Sequence, residues 1–264
     1  MPTTRKELHW GRVMSCYSQR PPNVNLMMSE IYVSAAGELA LVDGSSRMTY
    51  RDVERAVSAL AAGLSGHGVC RGDRVAVMLP NQAEAALAVL AIARLGAVVV
   101  PLGTRLKKPE ISYIFQDATP VAVIHAAAFA TELPGTGPAS NMRFECGGAQ
   151  WKAMLQRDPA DEFLAAEVDE HEPFGILYTS GTTGKPKGAV LTHLNVVHSC
   201  LHWEDAHQLS RSERTLLCVP WSHVAGLCGV VLPFLAIGGT LVFMAEFKRR
   251  EFLLRRRPSA SPMR

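Results

Sequence analysis

The sequence has 264 residues, of which 48% are hydrophobic and 19% charged, a makeup that excludes a largely disordered chain and predicts a sizeable buried core. The formal net charge is +3, but the segment after Phe247 contains seven of the 27 basic residues and one acidic residue. The body before it therefore has 20 basic and 23 acidic residues, which excludes a basic nucleic-acid-binding stripe through the fold. No nucleic-acid partner is expected.

Targeting and redox signals point to the cytoplasm. The first ten residues lack the apolar core of a signal peptide, and the longest apolar run, from Gly229, is interrupted by Pro233 and by the pair Gly238–Gly239. Six cysteines are scattered without a CxxC pair. We therefore expect no membrane span and a reducing cytoplasmic location.

After an unpatterned start, the sequence predicts a hairpin and then a helix. Residues 38–50 contain two short apolar segments around the turn signal at residues 43–46. Residues 51–68 place apolar side chains at helical spacing and end on glycine.

Strands and helices then alternate. The strand "DRVAVMLP" precedes the helix "NQAEAALAVLAIARLG", for which Asn81 is the predicted N-cap and Gly96 the predicted end. The strand "AVVVPL", the helix "KKPEISYIFQDA" and the strand "PVAVIHA" follow. Because these strands are apolar throughout, they are expected to be parallel and covered on both faces.

Residues 131–172 have the composition of loops, apart from a short predicted helix "AQWKAMLQ". Alternation resumes at Phe174 with two strands, the helix "NVVHSCLHWEDAHQL", the strand "RTLLCVP", the helix "HVAGLCGVVLPFLAIG" and the strand "TLVFMA". The predicted fold class is α/β, with layered and mostly parallel sheets flanked by helices.

A donor-rich loop follows the strand that begins at Phe174. It combines hydroxyl side chains, glycines and two lysines, all able to donate hydrogen bonds or positive charge to oxygen. Its predicted phosphate-binding residues are Thr179, Ser180, Gly181, Thr182, Thr183, Gly184, Lys185 and Lys187. The alternative is a mobile Gly/Thr-rich surface turn, but so long a run of such residues favours a polyphosphate site at the sheet's carboxyl edge.

An ordinary P-loop is disfavoured. The pattern GxxxxGK[ST] requires glycine where Thr179 stands and a hydroxyl residue where Pro186 stands. Pro186 also lacks an N–H and pushes Lys185 towards extended geometry, so no helix is expected to begin there.

The stretch "YTSGTTGKPKGAVLTH" resembles the signature of the adenylate-forming, or AMP-binding, superfamily. The superfamily includes acyl-CoA and aryl-CoA synthetases, luciferases and peptide-synthetase adenylation domains. The segments "MTYRDVERAVSALAAGL", "RGDRVAVMLPNQAEAALAVLAIARLGAVVVPL" and "VPWSHVAGL" resemble its other early motifs, in order. The resemblance covers about residues 23–252.

The resemblance implies a two-step reaction. ATP and a carboxylate form an acyl-adenylate and pyrophosphate, and a thiol, here expected to be CoA, then accepts the acyl group. Lys187 and the loop would neutralise the leaving pyrophosphate together with Mg²⁺. The sequence does not distinguish which loop hydroxyl reaches the metal; Thr182 is taken as the candidate.

The resemblance also suggests the class of acid. Acyl-CoA and aryl-CoA ligases have a histidine where His223 stands, in a segment that lines the acyl pocket, and His223 is taken as a catalytic residue. Amino-acid-activating domains tend to place an aspartate in this region, whereas residues 220–234 contain no acidic side chain. A fatty or aromatic acid is therefore expected. Trp221, Val224, Leu227 and Val230 would shape the pocket or simply belong to the core.

Histidines recur around one predicted helix, and they could be drawn as a metal cluster. His198 and His202 stand four residues apart, with His193 and His207 nearby. No third ligand has a recognised spacing, so a polar helix face is the expected explanation.

The resemblance also implies motifs that this sequence does not contain. These are a Tyr-Gly-x-Thr-Glu stretch, an aspartate for the ribose, and a C-terminal domain with a catalytic lysine. We therefore expect residues 1–264 to form an incomplete N-terminal large domain, without the small C-terminal domain and with residues 255–264 as a tail foreign to the family. Truncation or a frameshift near Leu254 is the expected origin. Two hypotheses follow: an acid–CoA ligase fragment of doubtful autonomous activity, or a non-catalytic nucleotide-binding remnant or partner subunit.

Overall fold

The computed structural model describes residues 3–137, 139, 142–157, 165–179, 185–245 and 249. Within these ranges the strands form three sheets, and most helices lie between or against the two larger ones. The strands are β1 (Thr4–His9), β2 (Arg12–Tyr17), β3 (Leu39–Asp43), β4 (Ser46–Thr49), β5 (Arg74–Met78), β6 (Val98–Pro101), β7 (Ala122–His125), β8 (Arg143–Glu145), β9 (Pro173–Thr179), β10 (Lys187–Thr192), β11 (Arg214–Leu217) and β12 (Thr240–Phe243). The helices are α1 (Val24–Ser34), α2 (Tyr50–Gly66), α3 (Ala83–Arg94), α4 (Lys108–Ala118), α5 (Ala149–Leu155), α6 (His193–His207), α7 (Val224–Gly226) and α8 (Leu232–Ala236), with a 3-10 helix at Ala127–Glu132 and a π-helical segment at Leu227–Val231.

The largest sheet has six strands in the order β10-β9-β6-β5-β7-β8. Its five strands from β9 to β8 are parallel, and only β10 is antiparallel, to β9. Alternate residues of β5 enter different cores, since Val75 and Val77 face α2 and α3 while Ala76 and Met78 face α4. The predicted mostly parallel sheet, covered on both faces, is confirmed.

The second sheet has four strands in the order β11-β12-β3-β4. Strands β11, β12 and β3 are parallel, and β4 returns antiparallel to β3, as the turn signal at residues 43–46 predicts. Helix α3 contacts β3 of this sheet and β5 and β6 of the other. Six of its twelve residues are alanine, and their small side chains let it lie between the two sheets with every residue but Glu84 buried.

The end of α3 agrees with the sequence, but its beginning does not. Gly96 has φ +66°, its N–H donates to Ala93 O and the Ala97 N–H donates to Ile92 O, a Schellman motif. The prediction that Asn81 caps the helix is wrong, because the N-cap position is Gln82, without a side-chain bond. The Ala83 N–H instead donates to Asp43 Oδ2 at 3.0 Å.

A β-hairpin at the N-terminus was not predicted. Strands β1 and β2 pair antiparallel through a two-residue turn in which Trp10 and Gly11 have φ of 49° and 74°. The hairpin covers the polar side chains of Glu7 and His9 and exposes Leu8 and Val13, so the alternation of apolar side chains that identifies a half-buried strand is missing.

Two smaller expectations concern the membrane and the cysteines. No helix in the described ranges is long and apolar enough to cross a membrane. All six cysteines have free thiols.

Candidate functional site

The donor-rich loop joins β9 to β10. Because β9 is parallel to β6, its last residue, Thr179, lies at the carboxyl edge shared by the parallel strands. Thr179 pairs with Lys187, the first residue of β10, so a strand rather than a helix follows Pro186, as expected. Five of the predicted loop residues, Ser180, Gly181, Thr182, Thr183 and Gly184, lie outside the described residues, and with them the predicted metal ligand Thr182.

The rim of the loop has the chemistry expected of a phosphate site. Thr179, Lys185 and Lys187 are all exposed, and neither lysine forms an ion pair in the part of the chain that the structure describes. Two uncompensated ammonium groups and one hydroxyl at a sheet edge fit a polyanion such as the phosphates of ATP.

Helix α4 supports this rim through two residues that the sequence analysis did not single out. Tyr178 Oη donates to Asp117 Oδ2 at 2.5 Å, and Lys185 Nζ lies 5.9 Å from the centroid of the Tyr113 ring. Partial burial and the Asp117 carboxylate raise the pKa of Tyr178. Tyr113 and Asp117 stand four residues apart on α4, which is the spacing that puts two side chains on one helix face.

Gly188 lets the aromatic ring of Tyr178 lie across β10. A Cβ at Gly188 would lie 2.7 Å from Ile176 Cγ2 and 3.0 Å from Tyr178 Cζ, closer than packed atoms allow. The absence of a side chain at Gly188 therefore leaves room for Ile176 and for the Tyr178 ring, whose hydroxyl donates to Asp117.

The second part of the predicted site is the turn at residues 218–223, held by Asn81. Asn81 Nδ2 donates to Val219 O at 2.9 Å and to Met244 O at 3.2 Å, and Asn81 Oδ1 accepts from Trp221 N at 2.9 Å. Trp221 Nε1 in turn donates to Leu79 O at 2.8 Å. The turn is thus tied to the chain that leaves the carboxyl end of β5.

The lack of a side chain at Gly226 lets α7 pack closely against this turn. A Cβ at Gly226 would lie only 2.1 Å from Pro220 O, so no larger residue fits without displacing the backbone. On the other side, Ser222 Oγ would lie 4.0 Å from a Cβ at Gly103, which follows β6. Since β6 pairs with β9, the turn and the loop lie at the same edge of the six-stranded sheet.

His223 is exposed at the N-cap position of α7, and its side chain makes no capping hydrogen bond. It is therefore available to a ligand at this edge. The four residues predicted to shape the acyl pocket or to belong to the core differ in burial. Trp221 and Leu227 are buried in the main core, Val230 is half-buried against it, and Val224 is exposed.

The histidines of α6 contact protein groups. His202 Nδ1 lies 2.9 Å from Tyr17 Oη, and the His198 ring stacks on Tyr17 with centroids 5.4 Å apart. His207 stacks on Trp203. His193 is buried rather than part of a polar face; its Nδ1 accepts from Val24 N at 3.2 Å, and burial lowers its pKa to about 4.

Comparisons with known proteins give consistent results. Residues 33–258 match the family described as AMP-binding enzyme. The chain is 35% identical over 205 residues to the long-chain-fatty-acid–CoA ligase FadD13 of Mycobacterium tuberculosis, and 35% identical over 215 residues to a feruloyl-CoA synthase of an Amycolatopsis species. These alignments cover 76% and 79% of this chain but 40% and 41% of the relatives, so the chain spans about two fifths of their length.

A solved structure shows the same fold. The inhibitor-bound N-terminal domain of FACL13 from M. tuberculosis superposes with a TM-score of 0.80 at 32% identity. The superposition covers 88% of this chain and 59% of that one.

Proposed function

The chain belongs to the AMP-binding enzyme family, and from that premise we propose that it contains the nucleotide- and acid-binding part of an acid–CoA ligase. The proposed reaction is ATP-dependent activation of a fatty or aromatic carboxylic acid to an acyl-adenylate, followed by transfer to CoA. By their names, the relatives given above are a long-chain-fatty-acid–CoA ligase and a feruloyl-CoA synthase, and the proposal extends the joining of such acids to CoA to this chain.

One observation carries the proposal: the pairing of Thr179 with Lys187 at the carboxyl edge of the parallel strands. It fixes the two ends of the donor-rich loop and leaves Lys185 and Lys187 exposed and unpaired in the described ranges. These ammonium groups would stabilise the charge that develops on the leaving pyrophosphate. Mg²⁺, with Thr182 as the proposed protein ligand, would neutralise further phosphate charge.

The turn at residues 218–223 supports the choice of acid. His223 is exposed beside it, and no acidic side chain lies between Pro220 and Phe234 to bind a substrate ammonium group. A carboxylate without an amino group therefore fits this edge better than an amino acid. In the proposal His223 is the residue that contacts the acid.

Carboxylate-dependent exchange of labelled pyrophosphate into ATP tests the proposal directly. The whole chain is incubated with ATP, Mg²⁺ and a panel of fatty, aromatic and amino acids, and ATP binding is measured separately by equilibrium dialysis. We expect exchange with at least one fatty or aromatic acid and none with amino acids.

The same experiment separates a second candidate function. ATP binding without exchange for any acid would favour a non-catalytic nucleotide-binding protein or a partner subunit. Absence of ATP binding would contradict both functions.

A further inference from the structure

The N-terminal hairpin is joined to the body by a cluster of polar side chains, here called the hairpin cluster: Glu7, His9, Cys16, Arg20, Glu170 and His171. Arg20 donates to both carboxylates, with Nη2 2.7 Å from Glu7 Oε2 and Nε 3.0 Å from Glu170 Oε2. Glu7, His9, Cys16 and Arg20 precede residues 33–258, which match the family, whereas Glu170 and His171 lie within them.

His9 is the central member. Its side chain is 4% exposed, and its Nε2 lies 3.0 Å from Glu7 Oε2. Its Nδ1 is buried and has no hydrogen-bond partner among the described residues. A buried ring nitrogen without a hydrogen-bond partner lowers the stability of the fold, unless its lone pair binds a donor or a metal ion.

Two groups of metal-ligand atoms meet at His9. The ligand atoms of Glu7, His9 and Cys16 lie within 4.8 Å of one another, and so do those of His9, Glu170 and His171. Around a tetrahedral zinc ion, bond lengths of about 2.0–2.3 Å separate neighbouring ligand atoms by roughly 3.3–3.8 Å. Because 4.8 Å is the upper limit of these separations, each group has to contract by at most about 1.5 Å to reach zinc geometry.

The ion pairs of Arg20 explain the two carboxylates but not the rest of the cluster. They give no role to the Cys16 thiol, which is 2% exposed, or to the free Nδ1 of His9. A thiolate, two imidazoles and a carboxylate form a donor set that zinc prefers. A carboxylate that accepts from the other nitrogen of a zinc-bound histidine is also a common supporting contact, and Glu7 has that position on His9.

We propose that the hairpin cluster binds one zinc ion through His9 Nδ1, Cys16, Glu170 and His171, with Glu7 orienting the His9 ring. Arg20 offsets the negative charge of Glu7 and Glu170. Each carboxylate oxygen keeps one lone pair in addition to the pair that accepts from the guanidinium, so Glu170 can still bind a metal ion. The ion joins the hairpin to the segment that leads into β9, since Glu170 and His171 precede Pro173 by two or three residues. The site is structural because all four ligands come from the protein.

Metal analysis of the whole chain tests the proposal. Zinc-loaded protein, dialysed against buffer, is expected to retain one zinc ion per chain, and its cobalt-substituted form to show a thiolate-to-cobalt charge-transfer band. Cys16→Ser should abolish that band, and His9→Gln and His171→Gln should weaken zinc binding by about tenfold or more. Cys70→Ser, which removes an exposed thiol outside the cluster, is the matched control and should change neither result.

The His171→Gln variant should fold normally without metal, because the His171 side chain is 44% exposed. A loss of zinc binding in this variant would therefore not be due to misfolding. Circular dichroism of each metal-free variant checks this point. Zinc retention by Cys16→Ser and His171→Gln equal to that of the unmodified chain would overturn the proposal. Failure of the unmodified chain to retain zinc would overturn it as well, whatever the result of the pyrophosphate exchange.

Discussion

Tyr178 Oη donates a hydrogen bond of 2.5 Å to Asp117 on α4, one residue before the strand ends at Thr179. This contact holds the end of β9, where the predicted phosphate loop begins, against α4. The sequence of the loop gives no sign of this contact, because Asp117 lies 61 residues before Tyr178. Tyr178→Phe removes one hydrogen bond, a net contribution of about 0.5–1.5 kcal/mol. We expect ATP affinity to fall by roughly two- to tenfold, measured by equilibrium dialysis.

Tyr113→Phe is the matched control for that change. It keeps the ring that faces Lys185 and removes a hydroxyl with no hydrogen bond among the described residues. Unchanged ATP affinity is expected; equal losses in the two variants would show that the Tyr178 contact has no special role.

Lys187→Ala should weaken the phosphate site itself. A charge-assisted hydrogen bond contributes about 1.5–3 kcal/mol, so ATP affinity should fall by roughly tenfold to a hundredfold. Lys152→Ala removes the same charge from an exposed position on α5 and should leave ATP binding intact. If both variants bind ATP equally well, the rim does not contact phosphate.

Gly226→Ala should displace the turn that presents His223. Alanine favours a helix over glycine by about 1 kcal/mol, so any loss must come from the contact with Pro220 O. We expect the free energy of unfolding to fall by about 2–4 kcal/mol in urea titrations. Gly37→Ala, where a Cβ meets nothing within 4 Å, should be neutral or slightly stabilising.

His193 should make the fold less stable in mild acid. Its pKa is about 4 in the folded chain against 6.5 for an ordinary histidine, so the unfolded chain binds a proton first. The contribution of His193 to the free energy of unfolding is therefore fully present above pH 6.5. It is lost as the pH drops towards 4, by up to about 3 kcal/mol.

His193→Asn tests the origin of that pH dependence. The asparagine oxygen can still accept from the Val24 N–H but does not titrate, so the slope between pH 6.5 and 4.5 should flatten in urea titrations. The carboxylates whose pKa values are lowered, such as Glu7 and Glu172, act at lower pH. His207→Asn, at an exposed position, should keep the slope; an unchanged slope in His193→Asn would refute the assignment.

Features that depend on neighbouring residues could be predicted from the sequence. Gly96 ends α3, Pro186 prevents a helix after the loop, and the turn at residues 43–46 closes a hairpin, because each is decided by a few adjacent residues. The apolar character of β5 and β6 likewise indicated burial on both faces.

Features that depend on distant partners could not be predicted. The sequence next to Asn81 makes it a plausible helix cap, yet its partners are Val219, Trp221 and Met244, 138 to 163 residues away. The α3 cap comes from Asp43, 40 residues earlier. The N-terminal hairpin was missed because it covers the polar side chains of Glu7 and His9 and exposes the apolar side chains of Leu8 and Val13.

The two parts of the candidate site also differ in how the chain assembles them. Thr179 meets Lys187 across a short hairpin, so this pairing costs little loop-closure entropy. The turn before His223 depends on Trp221 reaching Asn81 across 140 residues, a contact available only when the intervening segments are folded. The Thr179–Lys187 pairing is thus set by residues close in sequence, whereas the turn before His223 forms only with the rest of the fold.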